Sequence, residues 1–215
     1  MKKELIKRII STFVLIPLVF YFIIKGSYFF TFLLLLCFLI SVYEWKRITK
    51  KNNLFITGLI FLSLSFLAAN TLRVSSNDDY YTIFLIVIIV CISTDIGGYV
   101  FGKFFKGPKL TKISPNKTYA GLIGSYFLSI ISFYIFYNYN HLHNIDNLTL
   151  KMIMFVILIS TVSQFGDLII SYFKRKSKLK DTGSIIPGHG GLLDRIDGMI
   201  FAFPFSYIIF LTDLI

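Results

Sequence analysis

The sequence predicts an all-α integral membrane protein that crosses the bilayer several times. Of its 215 residues, 55% are hydrophobic and only 15% are charged, and the mean hydropathy is +0.73. Apolar stretches of about 16–23 residues recur along the whole chain, and a helix of that length crosses a hydrocarbon core of about 30 Å. A soluble domain would not have this composition.

The apolar stretches predict about seven transmembrane helices, at residues 9–24, 28–43, 54–69, 80–100, 119–139, 152–173 and 195–214. The basic start and the apolar run of the N-terminus resemble a signal peptide. No small-x-small cleavage site follows, so a retained first helix is predicted. Cys37 and Cys91 fall inside apolar stretches and no CxxC occurs, so two membrane-packed thiols are expected rather than a disulfide or a zinc site.

Lysine and arginine concentrate in every second connection between these stretches. The N-terminus and the connections at 44–53, 101–118 and 174–195 carry four, four, five and six of them, whereas the alternate connections carry one each. The positive-inside rule therefore predicts a cytoplasmic N-terminus. Because the basic residues lie in short patches between apolar runs, the net charge of +11 does not predict nucleic-acid binding.

Two aspartates lie inside predicted spans, near the cytoplasmic ends. Asp95 is followed by IGGYVFG, and Asp167 lies in SQFGDLIISYF. An ionisable group in a membrane helix costs a few kcal/mol or more and by default marks a functional site. The alternative for each is a structural carboxylate paired with a Lys, Arg or Ser of a helix.

Asp194 and Asp197 open the last predicted span, directly after the glycine-rich run PGHGG. Three residues apart, they lie on one face of a helix. Small residues at a helix start offer backbone N–H groups to an anion, and His189 could donate to a phosphate oxygen. The alternatives are helix capping for the two acids and a solvated loop side chain for His189.

Carboxylates, basic side chains and a glycine loop on one membrane face suit phosphoryl-group transfer, which needs charge neutralised on phosphate oxygens. Oxygen ligands favour Mg²⁺ or Mn²⁺ over zinc. A second basic loop contains KLTKISPNKTYAG, where Ser114, Lys117 and Thr118 resemble phosphate-contacting groups at a helix start. That loop could instead be a simple turn or a binding surface for anionic lipid headgroups.

The run SYFKRKSKLKDTGSIIPGHGGLLDRID, residues 171–197, resembles the signature of the phosphatidate cytidylyltransferase (CDP-diacylglycerol synthase) family. TDIGGYVFGKFFKG and SPNKTYAG, further upstream, also resemble this family. The chain departs from the family at Ala120, where a Glu is expected. The positions that the signature demands are filled by Ser171, Lys174, Arg175, Lys180, Asp181, Gly183, Pro187, His189, Gly190, Gly191, Asp194, Arg195 and Asp197.

The resemblance implies a membrane enzyme that joins CTP and phosphatidic acid, giving CDP-diacylglycerol and pyrophosphate. It implies Mg²⁺ or Mn²⁺ held by Asp167 and Asp194, with Asp95 and Asp197 as supporting acids. The remaining implied site residues bind phosphates or shape the nucleotide loop: Lys174, Arg175, Lys180, Arg195, His189, Gly190, Gly191, Ser114, Lys117 and Thr118.

The motifs divide the chain into two parts. Residues 80–215 are predicted to form the catalytic membrane part, with cytoplasmic loops 101–118 and 174–194. Residues 1–79 carry no motif and are expected to form a helical scaffold, or a surface for a homodimer. The expected location is a bacterial-type inner (plasma) membrane, with the active site facing the cytoplasm.

Three other functions share part of the pattern. A CTP-dependent lipid kinase would resemble the GxxFG and SPxKT portion but lacks the later run. A CDP-alcohol phosphatidyltransferase would share the D-x-x-D-G of DRIDG, but MIFA follows here in place of the required Ala-Arg. An ion-coupled transporter would place its acids near the midplane between repeats, whereas these acids gather toward one interface.

Overall fold

The computed structural model describes residues 2–49, 54–76, 78–111, 113–139, 150–188 and 190–212, with side chains from residue 7 onward. Within these residues the only bridges of β type are two isolated ones, between Lys109 and Thr118 and between Ile186 and Gly190. The predicted all-α class is therefore confirmed. The eight helices of the described residues are α1 (Lys2–Lys25), α2 (Ser27–Thr49), α3 (Phe55–Val74), α4 (Asp78–Phe105), α5 (Tyr119–Tyr139), α6 (Leu150–Lys176), α7 (Leu193–Ile196) and α8 (Met199–Leu211).

Six of these helices, α1 to α6, are long and apolar enough to cross a membrane. They contain nearly all residues of the first six predicted spans. The seventh predicted span, 195–214, is divided in the structure between α7 and α8. The 13 residues of α8 extend about 20 Å at helical rise, which is shorter than a hydrocarbon core of about 30 Å. The count of seven spans and the cytoplasmic N-terminus stay predictions.

The chain divides into two compact units. The first unit comprises residues 1–81 and 173–197, and the second comprises residues 82–172 and 198–215. Most of the signature run therefore packs with the first three helices. The functional division predicted at residues 79 and 80 stays a prediction, but the N-terminal helices hold signature residues directly.

In the first unit, Trp45 near the end of α2 organises the packing. Its indole lies so close to Gly58 of α3 that a Cβ at that position would overlap the ring. The indole Nε1 donates to the Phe55 carbonyl at 3.3 Å, and the ring meets Phe173 edge-on, with centroids 5.1 Å apart. Trp45 therefore fixes the end of α2 against both α3 and the segment that begins at residue 173.

The opposite end of the first unit is fastened by Arg73 of α3. Its Nε donates to the Ile23 carbonyl at 2.7 Å and its Nη2 to the Ile24 carbonyl at 3.1 Å. Its guanidinium also lies over the Tyr81 ring, 4.3 Å from the centroid. A cation that binds the last carbonyls of a helix complements its dipole, so Arg73 caps α1.

In the second unit, α4 and α5 approach closely because glycines face each other. A Cβ at Gly97 would overlap the carbonyl of Gly124. The adjacent Ser125 hydroxyl donates to the Thr94 carbonyl at 2.7 Å, and the Thr94 hydroxyl donates to Ser160 of α6 at 2.8 Å. Small residues and interhelical hydroxyl bonds of this kind hold membrane helices together.

Candidate active site

The first unit contains a buried polar cluster around Asp194, at the start of α7. Asp194 Oδ1 accepts a bond from Lys174 Nζ at 2.7 Å, and the two side chains are only 8% and 11% exposed. Its Oδ2 accepts from the Thr182 N–H at 2.8 Å and from the Gly191 N–H at 3.3 Å. The structure therefore brings together three residues of the predicted site, Lys174, Gly191 and Asp194.

Glu44 of α2 belongs to this cluster, although the sequence motifs did not include it. Its side chain is fully buried, with 0% exposure. Oε1 accepts from the Leu192 N–H at 3.0 Å, and Oε2 accepts from the Leu193 N–H at 2.8 Å and the Thr182 hydroxyl at 2.7 Å. The one available signal was an acid directly after an apolar run, in SVYEWKR, at the start of a connection that is otherwise basic.

Capping at the start of α7 is therefore supplied from another helix. The alternative considered for Asp194 and Asp197 was that they cap this helix themselves. Instead, Glu44 accepts the N–H groups of Leu192 and Leu193, which are among the donors that a helix start leaves without intrahelical partners. Asp197 is buried, with 7% exposure.

Two signature glycines are required by the close approach of Glu44. A Cβ at Gly183 would overlap Glu44 Oε1, and a Cβ at Gly191 would overlap the Thr182 hydroxyl and lie 2.6 Å from Glu44 Oε2. Heavy atoms that close must move apart, so larger residues would push the carboxylate out of the loop. Close packing around the Glu44 carboxylate, rather than a need for backbone flexibility, explains why both positions are glycine.

Described residues on the two sides of His189 approach each other, since the Ile186 N–H donates to the Gly190 carbonyl at 3.0 Å. Gly188 and Gly190 have φ angles of +77° and +90°, which glycine adopts without steric cost. Helix α1 contacts the PGHGG run: Arg8 Nε donates to the Gly188 carbonyl at 2.7 Å, and the Ser11 hydroxyl donates to the Pro187 carbonyl at 3.0 Å. His189 lies outside the described residues.

The four Lys and Arg site residues of the signature run differ in exposure. Lys174 is buried and bonded to Asp194, whereas Arg175, Lys180 and Arg195 are exposed. The exposed side chains are long and can reach an incoming anion. Lys174 instead neutralises an acid within the cluster.

The second unit holds a separate pair, Lys117 and Asp167. Lys117 Nζ lies 2.7 Å from Asp167 Oδ2, and the side chains are 22% and 29% exposed. The Ser171 hydroxyl donates to Asp167 Oδ1 at 3.2 Å, and Lys117 also donates to the Gln164 carbonyl at 3.3 Å. The contact with Ser171 of α6 matches the alternative for Asp167, a carboxylate paired with a helical side chain, whereas Lys117 lies in the loop before α5. Asp95 is an exposed side chain of α4.

The second basic loop folds back on itself before α5. The Lys117 N–H donates to the Ser114 carbonyl at 3.0 Å, so SPNK forms a turn, which is one of the three interpretations given above for this loop. The Thr118 hydroxyl accepts from the Gly121 N–H at 3.1 Å and caps α5. Ala120, where the resembled family has Glu, lies in the first turn of that helix.

The site residues fit a hard divalent metal in donor type. Asp194 of the first unit and Asp167 of the second each supply carboxylate oxygens, the ligands that Mg²⁺ prefers, and Asp194 Oδ1 accepts a bond from Lys174. Within the described residues, which exclude His189, no group of three or more His, Cys, Asp or Glu side chains gathers around one point. The metal-ligand assignment therefore stays a prediction.

Comparison with known proteins supports the resemblance seen in the signature. The model of the family described as "Cytidylyltransferase family" matches residues 6–78 and 59–212. This chain belongs to the cytidylyltransferase family. It is similar to the phosphatidate cytidylyltransferases of Rickettsia typhi, with 34% identity over 209 residues (94% of this chain and 90% of the relative), and of Rickettsia conorii, with 35% over 222 residues (99% and 93%). It is also similar to the phosphatidate cytidylyltransferase of Haemophilus influenzae, with 36% identity over 187 residues (82% of this chain and 65% of the relative).

Membership of the cytidylyltransferase family makes the chain a nucleotidyltransferase. The family match includes residues 6–78, a part of the chain in which the sequence alone revealed no motif. Arg8, Ser11 and Glu44 lie in that part, and all three bind the signature segment. The N-terminal helices of this cytidylyltransferase therefore contact the signature segment directly.

Proposed function

We propose that this enzyme joins CTP and phosphatidic acid, forming CDP-diacylglycerol and pyrophosphate. The observation that carries the proposal is the complete signature run at residues 171–197, in a chain 34% identical to the phosphatidate cytidylyltransferase of Rickettsia typhi over 94% of its length. A phosphate oxygen of the lipid attacks the α-phosphorus of CTP. The bond from that phosphorus to the β-phosphate oxygen breaks, and pyrophosphate leaves.

The basic side chains supply the charge that this reaction needs. Negative charge spreads over several phosphate oxygens in the transition state, so positioned cations stabilise it more than a protein nucleophile would. The exposed Arg175, Lys180 and Arg195 are suited to hold the phosphates of a soluble nucleotide. Lys174 orients Asp194, with which it is paired.

Mg²⁺, or Mn²⁺ in its place, is part of the proposal. Asp167 and Asp194 are the carboxylates that would hold it, with Asp95 and Asp197 as supporting acids. When bound, the ion neutralises charge on the phosphate oxygens. The protein's own part is to hold these carboxylates in place, through Ser171 for Asp167 and through Thr182 for Asp194.

The proposed location is the cytoplasmic face of a bacterial inner membrane. CTP cannot enter hydrocarbon and phosphatidic acid cannot leave it, so the substrates meet only at the interface. Binding both there holds the reacting oxygens in line. The exposed apolar side chains of α1, such as Phe13 at 81% exposure, form the surface that we expect to face lipid or a second copy of the chain.

The test uses purified protein in detergent with phosphatidic acid, Mg²⁺ and CTP labelled at either the α- or the γ-phosphate. Label that enters lipid from the α position alone establishes cytidylyl transfer, and Asp194→Asn should abolish it. Label from the γ position alone would establish a lipid kinase and overturn the proposal. Transfer from neither position, with CTP still bound, would mean that this chain lacks the activity and would direct attention to Ala120.

A further inference from the structure

Glu44 is a buried acid to which the proposed reaction assigns no task. A carboxylate removed from water is costly unless hydrogen bonds replace its hydration. The bonds found for Glu44 come from residues 138 to 149 positions away, in the signature segment. The acid therefore joins α2 to the segment that carries the predicted site.

The bonds of Glu44 fix two points of that segment at once. Leu192 and Leu193 donate to different oxygens of the carboxylate, Oε1 and Oε2 respectively. An amide of the same shape has one acceptor oxygen and one NH₂ donor group. Glutamine could therefore satisfy only one of these two N–H groups and would present hydrogens to the other.

Thr182 connects Glu44 to Asp194. Its hydroxyl oxygen lies 2.7 Å from Glu44 Oε2 and 3.0 Å from Asp194 Oδ2, and its N–H donates to the same Asp194 oxygen. A hydroxyl has a single hydrogen to donate, so Thr182 serves one acid or the other at a given moment. A displacement of Glu44 therefore reaches Asp194 through one intervening residue.

We propose that Glu44 is a positioning residue for nucleotidyl transfer, which holds the turn before α7 and thereby sets the Asp194–Lys174 pair. This inference rests on the proposed function. Glu44 acts through Asp194 and does not touch the reacting atoms. Gly183 and Gly191 pack closely against the Glu44 carboxylate. This packing restricts the carboxylate to one place, as its role in positioning Asp194 requires.

The test compares Glu44→Gln with a matched control, Ser41→Ala. Ser41 is also fully buried in α2, but its hydroxyl donates to the Cys37 carbonyl of its own helix. With both proteins folded at the assay temperature, Glu44→Gln should lower kcat by about tenfold or more with little change in KM for CTP, because the exposed phosphate-holding side chains are not its partners. Ser41→Ala should keep kcat and KM within about twofold of the parent values.

Hydrogen exchange provides a readout without substrate. The amides of Leu192 and Leu193 should exchange faster in Glu44→Gln and at the parent rate in Ser41→Ala, because Glu44 accepts their bonds and Ser41 does not. Glu44→Asp, which keeps two acceptor oxygens, should restore part of both the kcat and the protection. A folded Glu44→Gln protein with parent kcat and parent exchange overturns the proposal.

A second variant decides the question if Glu44→Gln does not fold. Glu44→Asp keeps the charge and both acceptor oxygens but withdraws them by one methylene group, so the proposal expects kcat and the protection of the Leu192 and Leu193 amides to fall below the parent values. A folded Glu44→Asp enzyme with parent kcat and parent exchange overturns it. Absence of cytidylyl transfer in the unmodified protein would overturn the proposed function instead, and the exchange experiment would still test whether Glu44 holds the turn.

Discussion

Lys117 Nζ lies 2.7 Å from Asp167 Oδ2 in the second unit. The sequence predicted different tasks for these side chains, phosphate binding for the lysine and metal binding for the aspartate. Their direct pairing means that each is the other's counter-ion before any substrate arrives. An incoming phosphate or metal ion must therefore compete with this ion pair.

Removal of the Lys117 ammonium is expected to reduce activity. A hydrogen bond to a charged group contributes about 1.5–3 kcal/mol, so Lys117→Ala should lower kcat/KM by about 10- to 100-fold. Lys109→Ala is the matched control, since Lys109 is an exposed lysine of the same loop. Initial rates with labelled CTP measure both. Equal losses in the two variants would show that the loop acts only through its total positive charge.

The buried pair of Lys174 and Asp194 should contribute to stability as well as to activity. Removal of one partner from a buried ion pair costs about 3–5 kcal/mol, because the other charge is left without compensation. Lys174→Met should therefore lower the midpoint of thermal unfolding in detergent. Arg175→Met, at the exposed neighbouring position, should leave that midpoint unchanged. A Lys174→Met protein as stable as the parent would contradict a buried pair.

Gly191 should tolerate no side chain. In Gly191→Ala the new Cβ would overlap the Thr182 hydroxyl and lie 2.6 Å from Glu44 Oε2, so the loop must open and Asp194 must shift. We expect cytidylyl transfer to fall by at least about 100-fold, as misplacement of catalytic groups by about 1 Å commonly does. Ser184→Ala, at an exposed position of the same segment, is the control and should retain the parent rate.

The contact between Ser163 and Gly198 leads to a prediction about stability alone. The Ser163 hydroxyl is buried without a hydrogen-bond partner among the described residues, and a Cβ at Gly198 would overlap it. Ser163→Ala should therefore be neutral or stabilising, whereas Gly198→Ala should destabilise by about 1–3 kcal/mol through overpacking. The double variant should recover part of that loss. Additive effects in unfolding measurements would contradict the contact.

Single-cysteine labelling tests the predicted orientation. In a background with Cys37 and Cys91 replaced by Ala, Ser76→Cys and Ser184→Cys each place a thiol at an exposed position. If the N-terminus is cytoplasmic, a membrane-impermeant maleimide should label residue 76 in intact cells and residue 184 only after permeabilisation. The reverse pattern would invert the predicted topology.

The helical membrane fold follows from composition, because any helix that crosses hydrocarbon must be apolar over a fixed length. Six predicted spans correspond to long apolar helices for this reason. The end of the chain was harder to predict, since the apolar stretch 195–214 also contains Asp197 and Gly198, where the structure separates α7 from α8. Hydropathy measures an average over a window and does not detect a break of that length.

The candidate site, like the fold, was predictable from the sequence only in part. The sequence by itself determined the membrane class and a compact signature at residues 171–197, because these properties depend on residues that are close together along the chain. Only the tertiary structure revealed the tasks of Arg8 and Glu44, whose partners lie 180 and 148 positions away. It also decided that Lys117 pairs with Asp167 and that Lys174 pairs with Asp194. Hydrogen bonds and ion pairs act over about 3 Å, and that proximity is created by the folding of the chain.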